Sequence, residues 1–295
     1  VSVSIPDRWA ARAKVGAPGE VSEGMRGFLR QVARPFARVF HRATLEGTEH
    51  LPKTGPYLLV ANHSSIGISE IACFAALYLE QVGADRPLSG VAHPIAFHLW
   101  PISVFMRHAG AVPSTRAACA SALAAGIPIL IFPGGDHEAT RPIWQAYKVD
   151  FAGRVGFLKL ARAAGVPIVP LGIRGSAFSM PILWRSKVLP WLLIVPRLAG
   201  TRRWPLTLLS AAGATAILAY LPASLPVRVA AAWAWAGSPL TLLPYVPSTI
   251  RMRIGPPIPP EALFEDGGDE ALPRALARVE GAVRGLVDGL RTPRK

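Results

Sequence analysis

The chain has 295 residues, a formal net charge of +14 and a pI near 10.8; 51% of it is hydrophobic and only 17% is charged. That length fits one large domain or two small ones with an easily built core, and the positive charge suits anionic partners. So apolar and basic a composition favours lipid over nucleic acid, and no zinc-finger spacing, Gly-aromatic RNA signature or heptad-plus-basic region occurs.

In chain order, residues 1–23 read as a loosely ordered N-terminus with no apolar core of signal-peptide length, so no secretion signal is expected. Residues 24–45 read as a basic amphipathic helix. Met25, Phe28, Leu29, Val32, Phe36, Val39 and Phe40 recur at helical spacing, with Arg26, Arg30, Arg34, Arg38 and Arg42 interleaved every fourth residue. Such a helix suits a membrane interface, or packs on its own domain with a solvated basic face; Pro35 should kink it.

Residues 46–175 alternate short apolar strands with helical patterns. Strands are expected at Tyr57–Ala61, Leu88–Ala92, Ile127–Phe132 and Val166–Ile173, and helices at Ile66–Glu80, Thr115–Ala125 and Arg154–Ala164. This alternation predicts an α/β class with a mostly parallel mixed sheet flanked by helices. Cys73 and Cys119 fall in apolar helical stretches without metal spacing and read as buried free thiols in a reducing compartment.

Residues 176–249 read as a hydrophobic, membrane-associated helical insert. Trp204 to Val227 and Val229 to Ile250 each lack charge and are long enough to cross a bilayer. Arg202 and Arg203 before the first run, with Arg251 and Arg253 after the second, favour a hairpin with cytoplasmic ends. Pro239, Pro244 and Pro247 leave open a re-entrant or interfacial second run, and buried helices or a lid are the alternative. Residues 250–262 read as a final edge strand of the core, and 263–295 as an amphipathic helix carrying Leu272, Leu276, Val279, Val283, Leu286 and Leu290.

The chemistry lies at strand ends, where α/β proteins place their sites. Asn62-His63-Ser64-Ser65 follows the first strand, and a histidine where a buried strand empties into a helix is well placed as a general base. Phe132-Pro133-Gly134-Gly135 follows another strand, and its glycines allow backbone N–H groups to approach a substrate closely. Histidines 93, 98, 108 and 137 show no metal-ligand spacing, although Asp136 and His137 are a conceivable second acid–base or metal pair. Neither a Gly-x-Ser-x-Gly elbow nor a phosphate-cradling Gly-x-x-x-x-Gly-Lys loop occurs.

These blocks resemble the glycerolipid acyltransferase family, whose motif is Asn-His-x-Ser-x-x-Asp. Asn62, His63 and Ser65 match it, but the Asp position is Ile68; Glu70 is the acidic substitute. Gly110 and Arg116 fit a second family block. Phe132-Pro133-Gly134-Gly135 and Glu138-Ala139 are similar to the branch that acylates diacylglycerol or phytol, as are Tyr147-Lys148 and Arg154-Val155-Gly156-Phe157. Val166-Pro167-Ile168-Val169-Pro170 matches the family's Pro-containing strand.

The resemblance implies an O-acyltransferase at the cytoplasmic face of the cell membrane, moving an acyl group from acyl-CoA or acyl-carrier protein to a lipid hydroxyl. His63 would be the base and Glu70 its orienting acid, with substrate contacts from Asn62, Ser65, Arg116, Phe132, Pro133, Gly134, Gly135 and Glu138. No metal, redox cofactor or nucleic acid is implied. Two alternatives stay open: a lysophosphatidic acid acyltransferase with divergent acceptor contacts, and a non-catalytic lipid-binding homologue.

Overall fold

A computed structural model describes residues 13–193, 196, 203–264 and 269–291; most of the expected loose N-terminus, Arg202 and the extreme C-terminus lie outside them. In chain order come α1 (Glu23–Phe28), β1 (Thr44–Glu46), β2 (Leu58–Ala61), α2 (Ile68–Gln81), β3 (Ser89–Ala92), α3 (Ile102–His108) and β4 (Val112–Pro113). Then follow α4 (Arg116–Ala124), β5 (Ile129–Ile131), α5 (Gly135–Ala139), α6 (Gly156–Ala164), β6 (Ile168–Arg174), β7 (Ile182–Ser186) and β8 (Trp204–Thr207). The chain continues through α7 (Leu208–Tyr220), α8 (Leu225–Ala236), β9 (Arg251–Ile254) and α9 (Leu272–Gly289).

Seven strands form one sheet in the order β1-β9-β6-β2-β5-β3-β4. β6, β2, β5, β3 and β4 are mutually parallel; β9 runs antiparallel to β6, and β1 parallel to β9. The sheet is therefore mixed and mostly parallel. Every residue of the central strand β2 is buried, because helices cover both faces. Leu58, Val60 and Ile168 meet α4, α6 and α9 through Leu123, Phe157, Leu158, Val279 and Val283. Leu59, Ala61, Val169 and Leu171 meet Cys73, Phe74 and Leu77 of α2 on the other face. Burial in these layers pushes the Cys73 thiol up to about 12 and Cys119 up to about 11, which keeps both as unreactive thiols.

The expected basic helix over 24–45 is shorter and less regular. Beyond α1 the chain continues in π-turns over Leu29–Ala33 and Phe36–Phe40, either side of Pro35. Proline offers no N–H to an α-ladder, and the wider i→i+5 bonding accommodates it. Met25, Leu29 and Ala33 are buried against Ala76 of α2, while Arg34 and Arg38 pair with Glu80 at 2.8 and 3.1 Å. The helix thus packs on its own domain. Thr44 and Leu45, placed in the helix by the sequence pattern, belong with Glu46 to the edge strand β1; three residues are too few to show a period.

The expectation of bilayer-crossing helices in 176–249 is overturned. Among the described residues no helix is long and apolar enough to cross a membrane. The first uncharged run is divided among β8, α7 and the turn into α8; the second ends α8 and continues through a 3-10 turn at Pro239–Leu242. α7 has 13 residues and α8 has 12, each about 20 Å or less at 1.5 Å per residue, against a hydrocarbon core of about 30 Å. β7 and β8 form a separate antiparallel pair beneath them. Arg228 spans the hairpin bend, donating to the carbonyls of Ala223 and Leu218 at 2.9 and 3.2 Å.

Candidate active site

The carboxyl ends of β2, β5 and β6 lie side by side at one edge of the sheet, so topology alone gathers residues from three distant parts of the chain. β2 empties into His63. The next turn is left-handed: Ser65, Ile66 and Gly67 have φ of 44°, 57° and 85°. Left-handed backbone at two non-glycine residues is costly, and local bonds hold it. The Gly67 N–H donates to the Ser64 carbonyl at 2.8 Å, and the Ser65 hydroxyl donates to the Ser176 carbonyl at 3.0 Å. Gly67 is required for space as well, since a Cβ there would sit 2.4 Å from the His63 Cε1.

This turn resolves the displaced acid. It consumes residues 65–67, so α2 starts at Ile68 and not Ile66, and its first turn carries Glu70 back over the histidine. His63 Nδ1 makes a short contact with the Glu70 carboxylate. Glu70 also accepts from the Ser64 N–H at 3.2 Å, the Ser64 hydroxyl at 3.1 Å and the Ser176 hydroxyl at 2.9 Å. The carboxylate is buried, and these donors replace the water it gave up. Ile68, at the family's Asp position, is 39% exposed. With Nδ1 engaged as donor to Glu70, Nε2 is the nitrogen left to take a proton. The imidazole is stacked on Phe132 with centroids 4.5 Å apart.

The Pro-Gly-Gly block forms the opposite wall. Arg154 donates to the carbonyls of Pro133 and Gly134 at 3.2 and 2.9 Å, fixing the turn. The Gly135 N–H is spent on the Phe132 carbonyl at 3.0 Å. The Gly134 N–H has no partner among the described residues. Glu138 lies fully buried beneath, where it accepts from the His63 N–H at 3.1 Å and the Asp150 N–H at 3.0 Å. A Cβ at Gly134 would fall 2.3 Å from this carboxylate, so the first glycine of the pair makes room for an internal bracket. Burial pushes the Glu138 carboxyl up to about 7 despite the two N–H donors and Arg141.

Not every expected contact residue faces this cleft. Asn62 exchanges bonds of 2.8 Å in both directions with the Ile173 backbone and so ties β2 to β6. Ser65 is buried against the turn at Ser176. Arg116 is exposed at the start of α4, beyond β4, and is not brought to His63. Asp136 is held by Arg154 and Arg203, whose charges outweigh burial and keep its carboxyl below the ordinary value. His137 bonds to Asp150 at 3.2 Å. This pair is an ion-pair network around the Pro-Gly-Gly turn. Ser64 and Ser176 were not anticipated as ligands of the acid. Ser64 sat inside the motif, whereas nothing periodic marks Ser176.

Comparison with known proteins bears on the family and the fold. The family model described as Acyltransferase matches residues 42–174. An uncharacterised protein of Mycobacterium leprae is 31% identical over 183 residues, 61% of this chain and 50% of the relative. The DGAT1/2-independent enzyme synthesizing storage lipids of Gallus gallus is 30% identical over 53% of this chain and 46% of its own length. Phytyl ester synthase 1 of Arabidopsis thaliana is 26% identical over 50% of this chain and 22% of its own. The chain spans about half the length of the first of these relatives, or less of the others. The crystal structure of the 1-acyl-sn-glycerophosphate (LPA) acyltransferase PlsC from Thermotoga maritima has a TM-score of 0.52 over 92% of this chain and 84% of that one, at 17% identity, a likeness of fold alone. Residues 42–174, with their motif histidine and Pro-Gly-Gly turn, match the Acyltransferase family model, and over this region the chain is similar to glycerolipid acyltransferases.

Proposed function

We propose that the protein transfers a fatty acyl group from an acyl-CoA or acyl-carrier thioester to the hydroxyl of a lipid. The observation that carries this reading is the His63–Glu70 pair at the sheet edge, opposite the Pro-Gly-Gly turn. His63 Nε2 removes the proton as the hydroxyl oxygen attacks the thioester carbonyl. Glu70 holds the imidazole in the required tautomer and faces the charge that develops on it. The Gly134 N–H is the backbone donor offered to the tetrahedral oxyanion; Gly135, already bonded, is not. Collapse of that intermediate expels the thiolate, which takes the proton from His63. Phe132 and Gly67 fix the ring plane. Asn62, Ser65 and Glu138 act behind the cleft as positioning residues.

The acceptor we favour is an uncharged alcohol. The relatives named for storage-lipid and phytyl ester synthesis support this choice. Labelled palmitoyl-CoA with an acceptor panel tests it: ester formed on a neutral glyceride or long-chain alcohol is expected. Inhibition by lysophosphatidate and not by neutral glycerides would transfer the assignment to a lysophosphatidic acid acyltransferase.

We place the protein at a membrane surface, on the cytoplasmic face; among the described residues no helix spans it. Trp191, Tyr220, Leu225 and Val229 on and beside the helical hairpin are 69%, 84%, 69% and 52% exposed. So much apolar surface beside so basic a chain supports shallow docking on anionic lipid. Flotation with phosphatidylglycerol vesicles measures it, and a chain that stays at the bottom of the gradient would remove this part of the proposal.

A further inference from the structure

A second cleft lies at the same edge of the sheet, on the far side of Ser176 from the histidine. Its volume is about 550 Å³, and Arg42, Arg174, Arg251, Arg291 and Tyr147 line it together with the Gly175 backbone. No carboxylate contributes to the lining. The topology explains the clustering. β6 ends at Arg174, whereas β9 runs the other way and begins at Arg251, directly opposite in the register. Arg42 precedes β1 at this same edge, and Arg291 follows α9.

The guanidinium of Arg174 is the centre of the arrangement. It lies over the Tyr147 ring with its carbon 3.4 Å from the centroid, so its plane is fixed. Its Nη1 is buried and has no acceptor among the described residues. A buried donor without an acceptor is unfavourable, and more so when charged. Arg251 donates to the Leu290 carbonyl at 3.1 Å, and Arg291 pairs with Asp288 at 2.6 Å. Neither contact brings an anion to Arg174. Several guanidiniums facing one cleft, one of them held flat and lacking an acceptor, make a receptor for a group with several anionic oxygens.

We propose that this cleft binds the phosphate group of a ligand. Two sources share that chemistry: the nucleotide phosphates of an acyl-CoA donor, and the headgroup of an anionic phospholipid. The phosphate site stands without the acyl-transfer reading; only the donor as its source rests on that reading.

Calorimetric titration of the full chain decides it, with adenosine 3′,5′-bisphosphate in one arm and dihexanoyl phosphatidic acid, below its micelle concentration, in the other. Arg174→Met keeps an apolar stem against Tyr147 and removes the cation. One-to-one binding of at least one probe is expected, weakened roughly tenfold to a hundredfold by Arg174→Met. Binding confined to the bisphosphate identifies the donor, and binding confined to phosphatidic acid identifies the lipid. The proposal is overturned if neither probe binds, or if the variant binds both as the parent does. Should Arg174→Met fail to melt cooperatively, the exposed pair Arg42→Gln with Arg291→Gln replaces it, with the same loss expected and the same overturning result. Because the readout is binding, a chain that binds phosphate but transfers no acyl group sinks the acyltransferase reading and leaves this one standing.

Discussion

The edge that carries His63 and the segment 176–249 are built on opposite principles. Around His63, two carboxylates are buried and both are answered. Glu70 receives donors from His63, Ser64 and Ser176, and Glu138 receives two backbone N–H groups. In the segment, apolar side chains are left outside, with Tyr220 and Leu225 mostly exposed at the hairpin bend. Bonded polarity inside fixes one geometry, which suits chemistry. Unanswered apolar surface outside suits a partner that is itself apolar and imposes no geometry of its own.

The largest effect expected is at the edge. His63→Ala should reduce acyl transfer by about 10²–10⁴-fold, the range for losing a general base, with the melting temperature little changed. Turnover that survives the substitution would leave the edge as a lipid-binding structure only. Glu70→Gln should cost on the order of 10²-fold in kcat with a small change in KM, because the amide keeps the shape and loses the charge opposite the imidazolium. Gly67→Ala sharpens the same point. The added methyl would strike the imidazole edge, so activity should fall about tenfold or more while Ile68→Ala, three atoms of side chain removed from an exposed position, leaves activity within about twofold.

The strands and helices around the site were legible because their periods were. β2, β3 and β5 fall within the expected apolar runs, β6 passes its expected end by one residue at Arg174, and α2, α4 and α6 begin within two residues of their expected starts. The partnership of His63 with Glu70 was legible as a residue pair but not as a geometry. The expected helix started at Ile66; the left-handed turn at Ser65–Gly67 delays it to Ile68 and brings Glu70 onto His63, and such a turn has no period to read. Ser176 was not legible, because it reaches Glu70 across 106 residues of chain. The hairpin misled for a different reason. Hydropathy counts uncharged residues without asking whether one element contains them, and Trp204 to Val227 contains a strand, a helix and a bend.

A smaller effect tests the outer half of the contrast. Trp191→Glu with Tyr220→Glu places charge on the exposed apolar surface and should reduce vesicle binding about tenfold or more, leaving turnover of a water-soluble short-chain acceptor unchanged. Equal loss with soluble and vesicle-bound acceptors would show that the hairpin supports the site itself and not its approach to lipid.

The smallest effect sits where the two regions join. His41 is fully buried, edge-on against the stacked rings of Phe36 and Phe40, with Nδ1 at 3.0 Å from the hydroxyl of Ser248, near the end of the segment. Burial lowers its pKa from 6.5 to about 4, and the Ser248 contact only partly offsets that. The unfolded chain therefore takes up a proton below pH 6.5 that the folded chain refuses until about pH 4. This group's stabilisation is intact above pH 6.5 and is lost as pH falls through that window, by up to about 3 kcal/mol. Glu138 in the site does the reverse. Its pKa is raised from 4.5 to about 7, so the folded chain keeps a proton that the unfolded chain releases. Stability from this group falls as pH rises from 4.5 to 7, by a similar amount. Between pH 4.5 and 6.5 the two slopes oppose and the parent profile hides both. Urea midpoints at pH 4.5, 5.5 and 7 separate them: relative to the parent, His41→Gln should gain stability toward pH 4.5, and Glu138→Gln should gain toward pH 7. A His41→Gln profile parallel to the parent would mean that the seam titrates normally. At this seam the segment would then be held by the Ile250–His41 backbone bond and packing, without the buried imidazole.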